Sequence, residues 1–275
     1  MNPQTLGFIG AGNMARSLAG GLLNNGWPAG QICLADPDAS QRQGVEQALG
    51  LKTLADNREL ASDCDILVLA VKPQVLADIA KALAPAVQQR KPLIISIAAG
   101  IRADDINRWL GGNLAIVRAM PNTAALVGSG VTGLYANAHV TDDQRDEAES
   151  ILRAVGVTTW IAEEKLIDTV TAVSGSGPAY FFLVMEALEK AAIRHGLDPA
   201  TAHLLTLETA YGAAKMALEG GDELATLRRH VTSPGGTTEQ ALKKLEEGGI
   251  ESLFDEAVAA AIQRAGELAD LFGKN

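Results

Sequence analysis

The sequence predicts a chain of the α/β class, an N-terminal doubly wound parallel sheet followed by an all-α C-terminal region. Up to about residue 160, short apolar runs alternate with segments of helical periodicity, the pattern of strands covered on both faces by helices. After Ala162 strand signals stop and helix patterns follow one another. The expected division is therefore residues 1–162 and residues 163–275.

The first strand is expected at residues 6–9, Leu-Gly-Phe-Ile, running into a helix at 14–24. Ile-Cys-Leu-Ala at 32–35 gives the second strand, and 40–49 the helix behind it. The runs at 66–71 and 93–97 are apolar at nearly every position, as strands buried on both faces require. They precede helix patterns at 75–83 and 103–110. Shorter runs at 115–118 and 131–135, a helix at 142–154 and a last strand at 158–161 complete the sheet region. Helices are then expected at 165–173, 179–194, 200–218, 223–230, 239–246 and 250–271. Asp198-Pro199 is a start signal, with Asp as cap and Pro in the first turn. The helix after it carries Leu204, Leu205, Leu207, Ala210, Ala213, Ala214 and Leu218, so it is apolar around much of its circumference. Such a helix is buried on more than one side, and a region of this size cannot enclose it alone. A subunit interface is expected there.

Composition removes several classes of function. The 275 residues are 47% hydrophobic but only 4% aromatic, so the core is expected from Ala, Leu, Val and Ile. A net charge of -10 and a pI near 4.9 argue against nucleic acid, whose phosphates need a basic face. No apolar run approaches the roughly 20 residues that span a bilayer, and Met1 opens on polar Asn2-Pro3-Gln4 rather than a signal peptide. Cys33 and Cys64 lie in or beside apolar runs and read as buried free thiols. His139, His195, His203 and His230 show no ligand spacing, so no metal is expected. The reducing cytoplasm is the expected compartment.

Two glycine-bearing segments carry the chemistry. Gly10-Ala11-Gly12-Asn13-Met14-Ala15 follows Ile9 directly and opens a helix, and acidic Asp36 ends the next strand. That is the arrangement of a dinucleotide-binding turn. Gly10 permits the tight turn, Gly12 lets backbone approach a pyrophosphate, and Ala15 is small enough for helix to pack on strand. Asp36 would accept from a ribose 2′-hydroxyl and repel a 2′-phosphate; Arg42 either counters that repulsion or is a solvated side chain. Ligands of such sheets lie beyond the carboxyl ends of the strands. Ala70-Val71-Lys72-Pro73 and Ile97-Ala98-Ala99-Gly100 are therefore expected to border the same site, with small residues that let a flat ring lie against backbone.

The second segment is Ser233-Pro234-Gly235-Gly236-Thr237-Thr238, a turn leading into a helix. It offers hydroxyl donors and free N–H groups at a helix start, the kind of site that holds a small carboxylate. Between the two lies Ser174-Gly175-Ser176-Gly177-Pro178, expected to be both a helix kink and a substrate floor.

Taken with Met120-Pro121-Asn122-Thr123, these motifs resemble the pyrroline-5-carboxylate reductases, in the family's order and over nearly the whole chain. The resemblance implies reduction of 1-pyrroline-5-carboxylate to L-proline with NADPH or NADH. It also implies an N-terminal Rossmann domain and a helical C-terminal domain that dimerises by interlocking, giving a homodimer or a homo-oligomer of dimers. By the same resemblance Ser233, Thr237 and Thr238 match the substrate-carboxylate loop, and Thr171 matches the threonine near the imine nitrogen. Glu164 and His230 fall next to the substrate, although histidine is not the usual residue there, and Asn57 matches an asparagine that contacts the cofactor. Ala124 departs from the pattern where a second proline is usual. Asp36 departs where NADP-preferring members have small or basic residues, which leaves both NADP and NAD as expected cofactors. The chemistry fits these residue types. A protonated C=N bond already accepts hydride, so the protein needs a carboxylate clamp, alignment and a polar group at nitrogen rather than a strong acid.

Two rival readings remain. A 3-hydroxy-acid dehydrogenase usually sets a lysine on the long helix facing the nicotinamide, yet residues 180–189 hold none and the first is Lys190. A non-catalytic dinucleotide sensor would not need the hydroxyl loop.

Overall fold

Strands β1 (Leu6–Ile9), β2 (Ile32–Ala35), β3 (Lys52–Leu54), β4 (Ile66–Leu69), β5 (Leu93–Ser96) and β6 (Ile116–Met120) run parallel. With β7 (Gly130–Ala136) and β8 (Gly156–Trp160) they form one sheet of order β3-β2-β1-β4-β5-β6-β7-β8. This computed structural model describes residues 4–274; the polar opening at residues 1–3 lies outside the described residues. The chain divides into two compact units, one ending at Ser176 and resumed from Ala260, the other Gly177–Ala259.

Every residue of β1, β4 and β5 is buried, which is why these runs carry no polar alternation. Their side chains still alternate, but between two cores. Leu6, Phe8, Ile66 and Val68 enter one, together with Leu18 of α1 (Asn13–Asn24), Val45 of α2 (Ala39–Leu49) and Ile151 of α6 (Asp142–Arg153). Ile9, Leu67 and Leu69 enter the other, with Leu60 of α3 (Asn57–Asp63), Leu76 of α4 (Pro73–Arg90) and Ile106 of α5 (Ala103–Trp109). Helices thus cover both faces, as the doubly wound arrangement requires.

Several elements differ from the expected ones. β3 and α3 had no counterpart, because β3 is three residues long and only partly buried, and α3 is a seven-residue helix started by the Asp56 carboxylate accepting from Arg58 N at 2.8 Å. α4 runs to Arg90 rather than 83, past Pro85, since Leu83 and Val87 stay buried on its inner face. The sequence predicts a parallel sheet; β1 to β6 are parallel, whereas β7 pairs antiparallel with β6. The connection at 121–129 is too short for the crossover a parallel neighbour needs. β8 then returns parallel to β7.

The helical part begins with α7 (Leu166–Val170), which passes into a π-helical turn at Thr171–Gly175 rather than continuing as one α-helix. α8 (Gly177–Arg194), α9 (Pro199–Gly220), α10 (Leu224–His230), α11 (Thr237–Glu247) and α12 (Ile250–Phe272) follow. α9 starts as its sequence predicts, with Pro199 in the first turn and the Asp198 carboxylate accepting from Thr201 N at 3.1 Å. Within the single chain only Ala202 and Thr206 of α9 are buried. Leu204 and Leu205 of α9 stand exposed, as do Phe181 and Phe182 of α8, the latter two at 67% and 66%. His195 lies at the end of α8, before Gly196 at φ 103°. Cys64 is buried and Cys33 half-buried, both free. Among the described residues, no helix is long and apolar enough to cross a membrane, and no group of His, Cys, Asp and Glu could hold a metal ion.

Candidate active site

The glycine turn is built where β1 and β4 end side by side. Gly10 adopts φ 100°, and a Cβ there would stand 2.8 Å from the Ala70 carbonyl oxygen, so no larger residue fits. Gly12 heads α1 without any side-chain cap, and a Cβ there would meet nothing within 4 Å. The helix start therefore faces open space with its first amides free for an anion. A cleft of about 300 Å³ opens at this point, bordered by Gly10, Gly12, Asp36, Asn57, Ala70, Val71 and Lys72. A buried polar atom tests the fit of a dinucleotide: Asn57 Oδ1 has no hydrogen-bond partner among the described residues, and Asn57 lines the cleft. An amide acceptor left unpartnered beside a helix start suits a ligand that carries hydroxyl or amine donors together with phosphate.

The other expected cofactor residues divide into wall and support. Ile9 is wholly buried in the core, and its carbonyl accepts from Ala70 N at 2.8 Å. Ala11 is also wholly buried; its N–H donates to Asp36 Oδ2 at 2.9 Å. Asn13 is exposed on the first turn of α1, and Met14 packs partly against the core beneath it. Lys72 is exposed at the cap position of α4, with Pro73 opening the helix. Ala98, Ala99 and Gly100 turn at the end of β5, whose Ser96 pairs with Leu69 of β4. Gly100 has φ 68°, and behind it stands Leu268 of α12, whose Cβ would lie 3.3 Å from a Cβ on Gly100.

Asp36 is more constrained than its sequence position suggests. Oδ2 accepts from Ala11 and Oδ1 from Asp38 N at 2.9 Å. Arg42 does not reach out as a solvated side chain: its Nη1 donates to the Asp36 and Pro37 carbonyls at 2.8 and 3.0 Å.

Thr171 opens the π-helical turn, and its hydroxyl donates to the Ile167 carbonyl at 2.8 Å, leaving the oxygen's lone pairs free. The turn is clamped to the sheet by Asn122, whose Nδ2 donates to the Ser174 carbonyl at 3.1 Å while its Oδ1 accepts from Val131 N at 3.2 Å. Met120 closes the same junction, because a Cβ on Gly175 would lie 2.6 Å from its Cε. The Met-Pro-Asn-Thr motif thus acts as a fastener for the Ser-Gly-Ser-Gly segment.

Glu164, expected beside the substrate, has its Oε1 occupied by Ala103 N at 2.7 Å and Arg118 Nη1 at 3.2 Å. Arg118 itself gave no signal beyond being the one charged residue of its apolar run. It is buried, with its other nitrogen 3.6 Å from Asp168 Oδ1.

The hydroxyl loop belongs to the second unit. Gly235 adopts φ 71°, and Gly236 is the cap residue of α11 with no side-chain cap. None of the neighbouring hydroxyls caps the helix. Ser233 and Thr237 are exposed and Thr238 is half-buried. Thr232, by contrast, donates back to the Arg228 carbonyl at 2.6 Å, and Glu239 Oε2 accepts from Gly235 N at 2.9 Å. His230 ends α10 just before this loop.

Comparison with known proteins agrees with this layout. Residues 164–268 match the family described as pyrroline-5-carboxylate reductase dimerisation, and residues 5–100 match NADP oxidoreductase coenzyme F420-dependent. A pyrroline-5-carboxylate reductase of Pseudomonas aeruginosa is 49% identical over 274 residues, spanning all of both chains. The solved pyrroline-5-carboxylate reductase of Coxiella burnetii superposes with a TM-score of 0.94 at 47% identity, covering 98% of this chain and 99% of that one. The Plasmodium falciparum enzyme, solved with NADP bound, gives 0.86 at 30% identity over 98% of this chain and 99% of its own. An eight-stranded doubly wound sheet with an uncapped glycine turn, a π-helical junction and a helical region with an uncapped hydroxyl loop is what these relatives align with end to end, and the chain belongs to the pyrroline-5-carboxylate reductase family.

Proposed function

We propose that this chain reduces 1-pyrroline-5-carboxylate to L-proline with NADPH or NADH, using the cleft at Gly10–Gly12 for the dinucleotide and the Ser233–Thr238 loop for the substrate carboxylate. The observation that carries the substrate half is the start of α11, where Gly236 stands in the cap position and the hydroxyls of Ser233, Thr237 and Thr238 stay uncommitted to it. An exposed helix start without a side-chain cap leaves its first amides to water or to a ligand, and a carboxylate can take them with charge-assisted hydrogen bonds. When bound, the nicotinamide supplies the hydride. The chain's part is to hold the flat ring against the Ala98-Ala99-Gly100 backbone, to clamp the carboxylate, and to set Thr171 Oγ1 at the imine nitrogen. With that hydroxyl donating to Ile167, a lone pair of its oxygen accepts from the protonated nitrogen and holds the charged form of the C=N bond. Glu164 takes a supporting part in this scheme, through its partners Ala103 and Arg118.

The active unit in this reading is a homodimer, alone or within a larger homo-oligomer, in which a second copy covers the exposed apolar faces of α8 and α9. The compartment is the cytoplasm, and neither nucleic acid nor a membrane is a partner. The test follows NADPH and NADH oxidation by the purified protein, spectrophotometrically, with 1-pyrroline-5-carboxylate, and identifies L-proline as the product. Binding of dinucleotide with no turnover would sink the enzymatic reading in favour of a sensor. Turnover of NAD with a 3-hydroxy acid instead would replace the substrate.

A further inference from the structure

Arg118 sits on β6 with its side chain 3% exposed, enclosed between two carboxylates of one short segment. Nη1 reaches Glu164 Oε1 at 3.2 Å, and Nη2 lies 3.6 Å from Asp168 Oδ1. Among the described residues neither that nitrogen nor that carboxylate oxygen has a hydrogen-bond partner, so the two are joined as an ion pair alone. Glu164 is tied a second time, to the Ala103 N–H at the start of α5. The guanidinium therefore pairs with two points four residues apart, Glu164 just before α7 and Asp168 within it. Asp168 lies on the same helix face as Thr171, one turn before it, and the Thr171 hydroxyl donates to the carbonyl of Ile167, the residue just before Asp168.

A buried cation with two anionic partners is a costly way to join a helix to a sheet, since apolar packing usually does this better. Its distinctive property is direction. A planar guanidinium presents its nitrogens in a fixed fork, so it sets both where the segment lies and how it is rotated about its axis. Rotation of α7 is what decides the direction of the Thr171 oxygen. We infer that Arg118 is a positioning residue for the reaction, setting the orientation of Thr171 through Asp168 and Glu164. This rests on the reading of Thr171 as the group at the imine nitrogen.

The experiment is a double-mutant cycle between Arg118→Lys and Thr171→Val, with Asp168→Asn as a gentler third variant, each assayed as the assembled protein. Lysine keeps the charge but offers one ammonium in place of the fork. Arg118→Lys should lower kcat about 10- to 100-fold, the scale of a small misplacement of a reacting group, with little change in the KM for dinucleotide. Asp168→Asn should do the same to a lesser degree. In the Thr171→Val background the Arg118→Lys loss should largely vanish, because the hydroxyl it orients is gone. A purely structural role for Arg118 would instead give additive losses, or lower the melting temperature with kcat intact. If Thr171→Val alone has wild-type kinetics, the Thr171 reading fails. If Thr171→Val is impaired while Arg118→Lys and Asp168→Asn turn over normally, or if the losses add, the positioning role of Arg118 is overturned. Should Arg118→Lys not fold, Asp168→Asn with Thr171→Val forms the same cycle.

Discussion

The Ala11 amide donates to Asp36 Oδ2 at 2.9 Å, so the acid at the end of β2 also fixes the glycine turn between β1 and α1; in the proposed reading the first would meet the ribose and the second the pyrophosphate. Its other oxygen is held by the Asp38 amide, and Arg42 braces the same strand end by donating to the Asp36 and Pro37 carbonyls. A carboxylate held this firmly cannot swing away from a 2′-phosphate. Arg42 is committed to backbone and offers that phosphate little. Appreciable use of NADH is the expected outcome, and Asp36→Ser should shift the ratio of kcat/KM values toward NADPH by about tenfold, one charge-assisted hydrogen bond. The same substitution frees the Ala11 amide, so stability should fall by about 1–2 kcal/mol. A wild-type preference for NADPH that Asp36→Ser leaves unchanged would show that Asp36 serves the turn alone.

The carboxylate clamp gives a different signature. Ser233→Ala and Thr238→Ala should each raise the KM for 1-pyrroline-5-carboxylate about 10- to 100-fold, since hydrogen bonds to a charged group are worth about 1.5–3 kcal/mol. Neither hydroxyl caps α11, so melting temperatures should hardly move. Dinucleotide affinity, measured by fluorescence titration, should stay constant. Wild-type steady-state constants in both variants would remove this loop from the substrate site.

How much of this was legible beforehand depends on where the signal sits. Gly10, Gly12, Asp36, Ala70, Val71 and Lys72 are local in sequence, and the cleft they border follows from strand ends that any doubly wound sheet must bring together. β3 and α3 were invisible because Lys52–Leu54 is too short for a period and the burial that holds it comes from β2. The sense of β7 is carried by the length of the 121–129 connection rather than by any apolar period. Glu164 shows another limit. The resemblance puts it beside the substrate, but its partners Arg118 and Ala103 are more than forty residues away and no spacing rule reaches them. Asn122 is similar: its motif was recognised, while its work of tying Ser174 to Val131 needs the folded chain.

Burial pushes the Cys64 thiol up to about 12, and it raises Cys33 as well. Thiolate is the reactive form, so Cys64 should resist thiol reagents near neutral pH in the native protein and react at once in denaturant. Linkage follows from the same shift. Below the unfolded value of about 8.5 both states keep the proton and stability does not depend on this group. Above it the unfolded chain ionises while the folded chain does not, so stability falls as pH rises. Denaturant midpoints measured from pH 8 to 10 should show that decline in wild type and a smaller one in Cys64→Ala. Rapid labelling of native Cys64 at pH 7 would contradict the buried site.

Assembly is the last test, and it follows from a helix that its own chain does not cover. α9 is apolar around most of its surface, yet only Ala202 and Thr206 are buried within the chain, and Leu205 remains 52% exposed. Phe181 and Phe182 of α8 add aromatic surface of the same kind. Exposed apolar patches of this sort mark interaction sites, and residues 164–268 match a dimerisation family. In a two-fold pairing each copy covers the same face of the other, so one charge per chain meets the interface twice. Leu205→Glu should therefore convert the assembly to a chain of 28.7 kDa in sedimentation and abolish turnover together. Circular dichroism should still report the helices of the first unit, and dinucleotide binding should weaken less than activity, because the Gly10–Gly12 cleft lies wholly in that unit. An active wild-type monomer, or a Leu205→Glu variant that stays assembled, would place the interface elsewhere.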